Sequence, residues 1–181
     1  MFYDIDKFPE LKEVQKHWKE IRDEILACKN EFYPFGINNP KDSWFNLPLK
    51  PILADVQNLN MQKLIYSLRD ACPKTREICK EVDPDGYMFI SLKGNGYVSP
   101  HMDNTNHVTA MLGLDLEDYN IIRCENDYKK INKGEFIIFD YTKEHESWNL
   151  SNKDRLVLVL AMENKYRSQD EWLNKINRGR K

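Results

Sequence analysis

The chain has 181 residues and a mass of 21.6 kDa; 41% of its residues are hydrophobic, and its 27 basic and 29 acidic side chains leave a formal net charge of -2. This size predicts a single domain, residues 1–181, because two independent domains would each bury little apolar surface. The near-balanced charge argues against nucleic acid as a partner, and the apolar content argues against a disordered chain.

Membrane insertion and secretion are not expected. The longest apolar runs, such as 156–162, are far shorter than the roughly 20 residues that span a bilayer. The first six residues carry acidic rather than basic side chains, and no apolar stretch follows them, so we expect no signal peptide and a cytoplasmic location.

The cysteines are too few and too scattered to indicate a disulfide framework. They are Cys28, Cys72, Cys79 and Cys124, and none forms a Cys-x-x-Cys pair. We therefore expect four thiols in a reducing compartment, with a metal or disulfide pair of Cys72 and Cys79 as the alternative.

The first half of the chain is predicted to be helix and loop. Apolar side chains recur every three or four residues over 9–29, which indicates an amphipathic helix. The segment 30–51 is rich in Pro, Gly, Asn and aromatic residues and predicts loop with short strands. A second helix is expected over about 59–71, and Pro73 favours the start of a third. We assign 1–84 to a helical and loop support region.

The second half is predicted to be β. After Asp83-Pro84-Asp85-Gly86, short β-branched and aromatic runs alternate with turn residues. The predicted strands are 87–92, 97–101, 109–114, 120–124, 135–141, 146–150 and 155–162. This spacing predicts a mainly β protein with N-terminal helices, its jelly-roll core spanning 85–163. Residues 164–181 are expected to form a last helix, from Ser168, and a basic tail.

Two of the four histidines lie at the ends of predicted strands, in His101-Met102-Asp103 and at His145. Residues i and i+2 of an extended segment point the same way, so His101 and Asp103 can aim at one point. His145 would complete two imidazoles and one carboxylate, the facial triad that binds non-haem iron(II). A bare His-x-Asp often arises by chance, and surface hydrogen bonding is the alternative interpretation.

Arg155 begins an apolar run, 155–160, that predicts a buried strand. A guanidinium at the head of such a strand needs an anion, and a bound dicarboxylate would match its fork of N–H donors. A structural salt bridge with Asp154 or Glu146 is the alternative.

Several blocks resemble the aspartyl/asparaginyl β-hydroxylase family in order and in approximate spacing. They are Ser91-Leu92-Lys93-Gly94, Ser99-Pro100-His101, Thr105-Asn106, Leu112-Gly113-Leu114, Ile122-Arg123-Cys124, Gly134-Glu135-Phe136-Ile137-Ile138-Phe139-Asp140, Glu144-His145-Glu146-Ser147-Trp148-Asn149 and Arg155-Leu156. Phe8-Pro9-Glu10-Leu11, Trp44 and Cys72-Pro73-Lys74-Thr75 are similar too, so the resemblance covers about 8–164. The co-occurrence of the blocks makes the match specific.

The resemblance implies a double-stranded β-helix, a cupin-like jelly roll, that uses iron(II), 2-oxoglutarate and O₂ to hydroxylate an unactivated carbon. It implies that His101 and His145 bind the iron. It also implies that Arg155 binds the far carboxylate of 2-oxoglutarate, with help from Ser91. The family's default substrate is an Asp or Asn side chain, so we expect an amino acid, a peptide or another small molecule as the substrate.

The chain departs from the family pattern at two places. Animal members have a small residue at the position of Asp103, whereas here a carboxylate is present; we expect it to bind the metal, with a place behind the ligands as the alternative. After Thr105-Asn106 the family carries arginines and a histidine that hold acid groups. No arginine lies between Asp103 and Arg123 here. His107 is the candidate to take over part of that substrate-binding role, with a surface histidine as the alternative.

The sequence leaves three functional interpretations. The first is an oxygenase of this class; its alternatives within the class are desaturation instead of hydroxylation, or a free amino acid, a carrier-bound residue or a different small molecule as the substrate. The second is a non-catalytic metal-binding jelly roll that binds a small acid. The third gives His101, Asp103 and His145 a structural role and predicts no metal dependence.

Overall fold

The computed structural model describes residues 1–28, 32–34, 43–50, 70–103 and 105–165. The predicted helix over 59–71 falls outside these residues except for its last two positions, which form a turn and a bend. The predicted last helix, from Ser168, lies wholly outside the described residues.

The amphipathic segment 9–29 forms two helices instead of the single predicted one. Helix α1 (Leu11–Lys16) and helix α2 (Trp18–Ala27) meet at His17, whose backbone is not helical. The His17 N–H donates to the Val14 carbonyl at 3.1 Å, which tightens the last turn of α1. The predicted apolar stripe persists across this break, and its fully buried members are Leu11, Val14, Ile21 and Ile25.

Helix α3 (Pro73–Val82) begins at the proline that predicted it, and its first turn is held by α2. The Glu24 carboxylate accepts hydrogen bonds from the backbone N–H groups of Lys74 at 2.9 Å and Thr75 at 2.7 Å. These N–H groups have no partner within the helix, so Glu24 satisfies them and joins α2 to α3.

Eleven strands of the described chain form two antiparallel sheets. The larger sheet has the order β1-β9-β6-β11-β4-β3-β2 and consists of β1 (Phe2–Tyr3), β2 (Tyr33–Pro34), β3 (Trp44–Lys50), β4 (Gly86–Leu92), β6 (His107–Asp115), β9 (Phe136–Asp140) and β11 (Arg155–Glu163). The smaller sheet has the order β5-β10-β7-β8 and consists of β5 (Tyr97–His101), β7 (Asn120–Cys124), β8 (Asp127–Lys130) and β10 (His145–Asn149). The chain is a mainly β protein with N-terminal helices, a double-stranded β-helix of the jelly-roll type.

All seven predicted strands are present, with ends shifted by at most two residues. The sheet extends beyond the predicted core, because β1, β2 and β3 come from the 1–84 support region and β3 pairs with β4. Strand β8 was not predicted. Its four residues are all exposed, so it lacks the alternation of buried and exposed positions by which a half-buried strand is recognised.

The larger sheet has two apolar faces. Along β11, Leu156, Leu158 and Leu160 pack with the helices, whereas Val157 belongs to a second cluster between the two sheets. Successive strand residues point to opposite faces, so a strand covered on both sides is apolar throughout. The double burial explains the unbroken apolar run after Arg155.

Two further expectations concern cysteines and membranes. All four cysteines are thiols, as predicted, and Cys72 and Cys79 do not form the alternative pair; the Cys72 sulfur instead lies 3.7 Å from the Cys28 sulfur. Within the described ranges, no helix is both long enough and apolar enough for a membrane span.

Candidate metal centre

The two histidines predicted as metal ligands lie opposite each other on neighbouring strands. His101 ends β5, His145 begins β10, and the strand register pairs the two residues directly. Their ring centroids are 4.2 Å apart. Asp103 follows β5, and its backbone N–H donates to the Tyr141 carbonyl at 3.1 Å, which fastens this segment to the end of β9.

The Asp103 carboxylate reaches both imidazoles. Its Oδ2 lies 3.7 Å from His101 Nε2 and 3.9 Å from His145 Nε2. One ligand atom from each of the three residues lies within 4.8 Å of the others. Two atoms that each bind an ion at about 2.1 Å are at most about 4.2 Å apart, so the carboxylate can share an ion with either imidazole. The donor set of two nitrogens and one carboxylate therefore fits a transition-metal ion.

Backbone carbonyls fix the direction of both rings. His101 Nδ1 lies 2.8 Å from the Ser99 carbonyl oxygen, and His145 Nδ1 lies 2.8 Å from that of Lys143. A carbonyl oxygen only accepts, so in the neutral tautomer that satisfies this contact Nδ1 carries the proton and Nε2 presents a lone pair toward the other ligands. Metal-binding histidines are commonly oriented in this way.

Burial keeps His145 in the neutral form that a metal ion needs. Its side chain is only 6% exposed. Desolvation, followed by the nearby His101, lowers the pKa of His145 to about 4. The imidazole is therefore uncharged at neutral pH, and no proton has to leave before Nε2 binds a metal.

Arg155 lies in the same cavity as the two histidines. Its side chain is 1% exposed, and its Nη1 donates to the Ser147 hydroxyl at 2.6 Å. Ser147 lies two residues after His145 on β10, so its side chain points to the same face of the smaller sheet as the imidazole. Ser147 thus holds the Arg155 guanidinium on the same cavity wall as His145.

No carboxylate of the described residues lies within salt-bridge distance of Arg155. Glu146 accepts hydrogen bonds from Tyr97 and Arg123, and Asp154 accepts one from the Gly94 N–H. The alternative of a salt bridge with Asp154 or Glu146 is therefore wrong. Burial without a counter-charge lowers the pKa of Arg155 to about 10. A buried guanidinium without a carboxylate partner can accept an anion as its counter-charge.

The rest of the cavity wall is largely aromatic and aliphatic. The Tyr141 and Phe139 rings lie 5.0 and 5.1 Å from the His145 ring, and the Trp44 ring lies 6.2 Å from the His101 ring. Aliphatic side chains from both sheets complete the lining: Ile90, Val98, Met111, Ile122 and Val159. Such walls hold little water, which strengthens electrostatic contacts inside the cavity.

The structure corrects the assignment of Ser91 as a helper of Arg155. On β4, Ile90 and Leu92 belong to the cluster between the sheets, so Ser91 points to the opposite face. There it lines a separate cavity with Phe45 and Leu156. The residue that contacts Arg155 is Ser147, which the sequence analysis missed although its spacing from His145 was a usable signal.

His107 lies at the start of β6, outside the set of residues that line the cavity. Its Nε2 is 2.9 Å from the Asp85 carboxylate, just before β4. This contact engages Nε2, whereas the buried Nδ1 has no hydrogen-bond partner among the described residues. The substrate-binding role of His107 stays a prediction.

Comparison with protein families identifies one family over most of the chain. The model of the aspartyl/asparaginyl β-hydroxylase family matches residues 15–165. The human aspartyl/asparaginyl β-hydroxylase is 30% identical over 161 residues, which cover 83% of this chain and 20% of that protein. The chain thus spans about a fifth of the length of this relative.

Two more distant similarities concern a bacterial enzyme and a solved structure. The ornithine lipid ester-linked acyl 2-hydroxylase of Rhizobium tropici is 25% identical over 185 residues, covering 95% of this chain and 63% of that protein. The cupin domain of an XRE-family transcriptional regulator from Enterobacter cloacae has a TM-score of 0.39 and 11% identity, covering 44% of this chain and 82% of that one. The fold assignment rests on the two sheets described above.

Proposed function

Because the chain belongs to the aspartyl/asparaginyl β-hydroxylase family, we propose that it is an iron(II)- and 2-oxoglutarate-dependent dioxygenase that hydroxylates an unactivated carbon of an amino acid or an amino-acid residue. One observation carries the proposal: a metal-ligand triad and a buried arginine without an acid partner among the described residues lie in one region. A metal-binding structural module needs only the triad. An oxygenase of this class needs both the triad and a cation that binds the far carboxylate of 2-oxoglutarate.

His101, Asp103 and His145 would hold the iron, and both histidines line the cavity in which further ligands would bind. When bound, iron(II) supplies the activation of O₂ that the hydroxylation of a C–H bond requires. The chain supplies the geometry. The carbonyls of Ser99 and Lys143 keep the Nε2 lone pairs aimed at the ion, and burial keeps His145 uncharged.

Arg155 would bind the far carboxylate of 2-oxoglutarate. Its two terminal nitrogens match the two oxygens of a carboxylate, and the cavity wall excludes competing water. The Ser147 hydroxyl accepts from Arg155 and donates to the Ile121 carbonyl at 3.0 Å, so the guanidinium is held before the ligand arrives. Preorganisation of this kind lowers the entropy that binding loses.

The names of two relatives and the charges of the cavity lining bear on the substrate. The human relative is named for aspartyl and asparaginyl residues and the Rhizobium relative for an ester-linked acyl group. Arg155 is the one cation among the described residues that line the cavity, and His107, outside this lining, contacts Asp85. A second cation for an acidic substrate is therefore not present in this lining. That observation favours a substrate with a neutral reacting end as the second candidate.

Succinate formation tests the activity. The purified protein, supplied with iron(II), ascorbate, O₂ and 2-oxoglutarate, should release succinate faster than the His145→Ala variant does, and a matching substrate should accelerate the release. Amino acids, Asp- or Asn-containing peptides and acylated amino acids would be screened, with product mass separating hydroxylation from desaturation. Tight metal binding without any succinate would instead support a non-catalytic module.

A further inference from the structure

We propose that Arg123 is a positioning residue for the metal centre, because it holds both chain neighbours of His145. The inference rests on the proposed function insofar as it requires His145 to bind a metal ion. Arg123 lies on β7, which pairs with β10, and its side chain is 13% exposed.

All three nitrogens of the Arg123 guanidinium are engaged. Its Nε donates to the Glu146 carboxylate, its Nη2 donates to Glu144 Oε1 at 2.8 Å, and its Nη1 donates to the Glu125 carbonyl at 2.6 Å. Glu144 and Glu146 are the residues immediately before and after His145. One rigid, planar group therefore holds the carboxylates of the residues on both sides of His145.

The same network also reaches the strand of the other histidine. The Tyr97 hydroxyl, on β5, donates to the second oxygen of the Glu146 carboxylate at 2.8 Å. Glu146 is 8% exposed and joins β5, β7 and β10 through its two oxygens. The position of His145 relative to His101 thus depends on a side chain that neither ligand touches directly.

This side-chain network lies where the pairing of β10 with β5 is irregular. The pairing of β10 with β5 shifts register between His145 and Ser147. On the β5 side the segment includes Pro100, which has no N–H to donate. The contacts of Glu146 with Arg123 and Tyr97 supply the connection between these strands at the level of the metal ligands.

The test is an anaerobic titration of the apoprotein with Co(II), read from the dissociation constant and the d–d absorption of the bound ion. Lysine keeps the charge of Arg123 but cannot engage both glutamates and the carbonyl in the same plane. Arg123→Lys should raise the Co(II) dissociation constant about 10-fold and alter the d–d absorption, as changes to the partners of metal ligands do. Arg76→Lys is the matched control, because Arg76 also donates to backbone carbonyls, of Ala71 and Leu49, but far from the metal centre.

A second variant keeps the test decisive if Arg123→Lys does not fold. Tyr97→Phe removes only the hydroxyl that reaches Glu146 and should weaken Co(II) binding in the same direction. Wild-type Co(II) affinity and absorption in a folded variant would overturn the positioning role while leaving the metal centre intact. Absence of saturable Co(II) binding by the wild-type protein would overturn both the proposed function and this inference.

The geometry points to a second site, independent of the first, in the helical layer: Cys28 and Cys72 form a thiol pair that peroxide can oxidise to a disulfide. Their sulfur atoms are 3.7 Å apart. Cys28 follows α2 and Cys72 precedes α3, so neither lies inside a helix. A disulfide requires a sulfur separation of about 2.05 Å, and side chains at helix ends can rotate to close the gap.

The two thiols differ in access, which sets the order of the steps. Cys28 is half-buried and reachable, whereas Cys72 is 1% exposed. Hydrogen peroxide would convert the Cys28 thiol to a sulfenic acid with loss of water. Attack of the Cys72 sulfur then forms the S–S bond and releases a second water, so two thiols and one peroxide give one disulfide and two waters.

Cys79 is the matched comparison for this pair. It is fully buried, and burial raises its pKa to about 12, which suppresses the reactive thiolate. The experiment treats the full chain with hydrogen peroxide, followed by non-reducing peptide mapping. A reducible Cys28–Cys72 linkage should form in the wild-type protein and in Cys79→Ala, and should be absent in Cys28→Ser. Oxidation of Cys28 to sulfinic acid without any linkage, or linkage to another cysteine, would overturn the assignment.

Discussion

The two faces of the larger sheet carry different kinds of side chain, although they share the same strands. The helix-facing side is closed by leucines such as Leu112, Leu158 and Leu160, all fully buried among other apolar groups. The side facing the smaller sheet holds buried polar groups at one end, including Arg155, whose guanidinium has no carboxylate partner in the described chain. Packing explains the first face completely. On the second face the Arg155 guanidinium lacks a carboxylate partner among the described residues, and the proposed 2-oxoglutarate would supply one.

This contrast predicts that changes on the two faces separate stability from binding. A buried cation without a counter-ion destabilises the apoprotein, and a ligand that supplies the anion recovers that free energy on binding. Substitutions on the cavity side should therefore alter ligand affinity more than unfolding, and substitutions on the helix side should do the reverse.

The largest effect is expected from removing a metal ligand. His145→Ala should weaken Co(II) or iron(II) binding by at least about 100-fold, since losing the partners of metal ligands alone costs about 10–100-fold. The apoprotein should stay folded, because the lost side chain faces the cavity. Metal titration and thermal unfolding of the same sample measure both quantities. A folded variant with wild-type affinity would remove His145 from the ligand set.

On the helix-facing side, Leu158→Ala should lower the free energy of unfolding by about 2–5 kcal/mol, the usual cost of a large cavity in a packed core. Chemical denaturation measures this loss. Metal affinity of the folded fraction should match that of the wild-type protein. A loss of metal affinity comparable to that of His145→Ala would show that the two faces are not separable.

The apoprotein should lose stability in mild acid because of His145. Its pKa is about 4 in the folded chain against an ordinary 6.5, so the unfolded state binds an extra proton between these values. The contribution of neutral His145 to stability is complete above pH 6.5. The free energy of unfolding should fall by up to about 3 kcal/mol as the pH approaches 4. His145→Gln should flatten this slope. An unchanged slope in His145→Gln would contradict the account.

Substitution of Arg155 is expected to have a smaller effect on stability, and it should stabilise the apoprotein. Arg155→Met should raise the free energy of unfolding of the apoprotein by about 1–2 kcal/mol, because it removes a buried charge that no described carboxylate neutralises. The same change should abolish 2-oxoglutarate binding. Denaturation curves with and without 2-oxoglutarate would show both. A clear loss of apoprotein stability would instead indicate a structural role for Arg155.

The sequence predicted most of the sheet because local pattern determines it. Strands β5 and β7 have the predicted ends, since β-branched and aromatic residues are bounded there by turn signals. Strand β8 has no buried residue, so it lacks the alternation of buried and exposed positions that predicts a strand. The break at His17 was also missed, because the apolar stripe continues through it.

The candidate metal ligands were predictable from the sequence, but the residues that contact them and Arg155 were not. His101, Asp103 and His145 stand out by residue type and spacing, and the structure brings them together. Ser91 was misplaced because a shift of one position moves a strand residue to the other face. The sequence could not show whether Glu146 was available to pair with Arg155. In the structure the Glu146 carboxylate accepts hydrogen bonds from Tyr97 and Arg123, which are distant from it in sequence.

The most direct test of the central claim is an anaerobic titration of the apoprotein with iron(II) and then 2-oxoglutarate, followed by visible absorption. A keto acid chelated to iron(II) produces a metal-to-ligand charge-transfer band. We expect this band at one equivalent of each, and a weaker band at equal 2-oxoglutarate in Arg155→Ala but not in Arg76→Ala. Stoichiometric iron binding without the band, or a band indifferent to Arg155, would contradict the assignment of this cavity to 2-oxoglutarate.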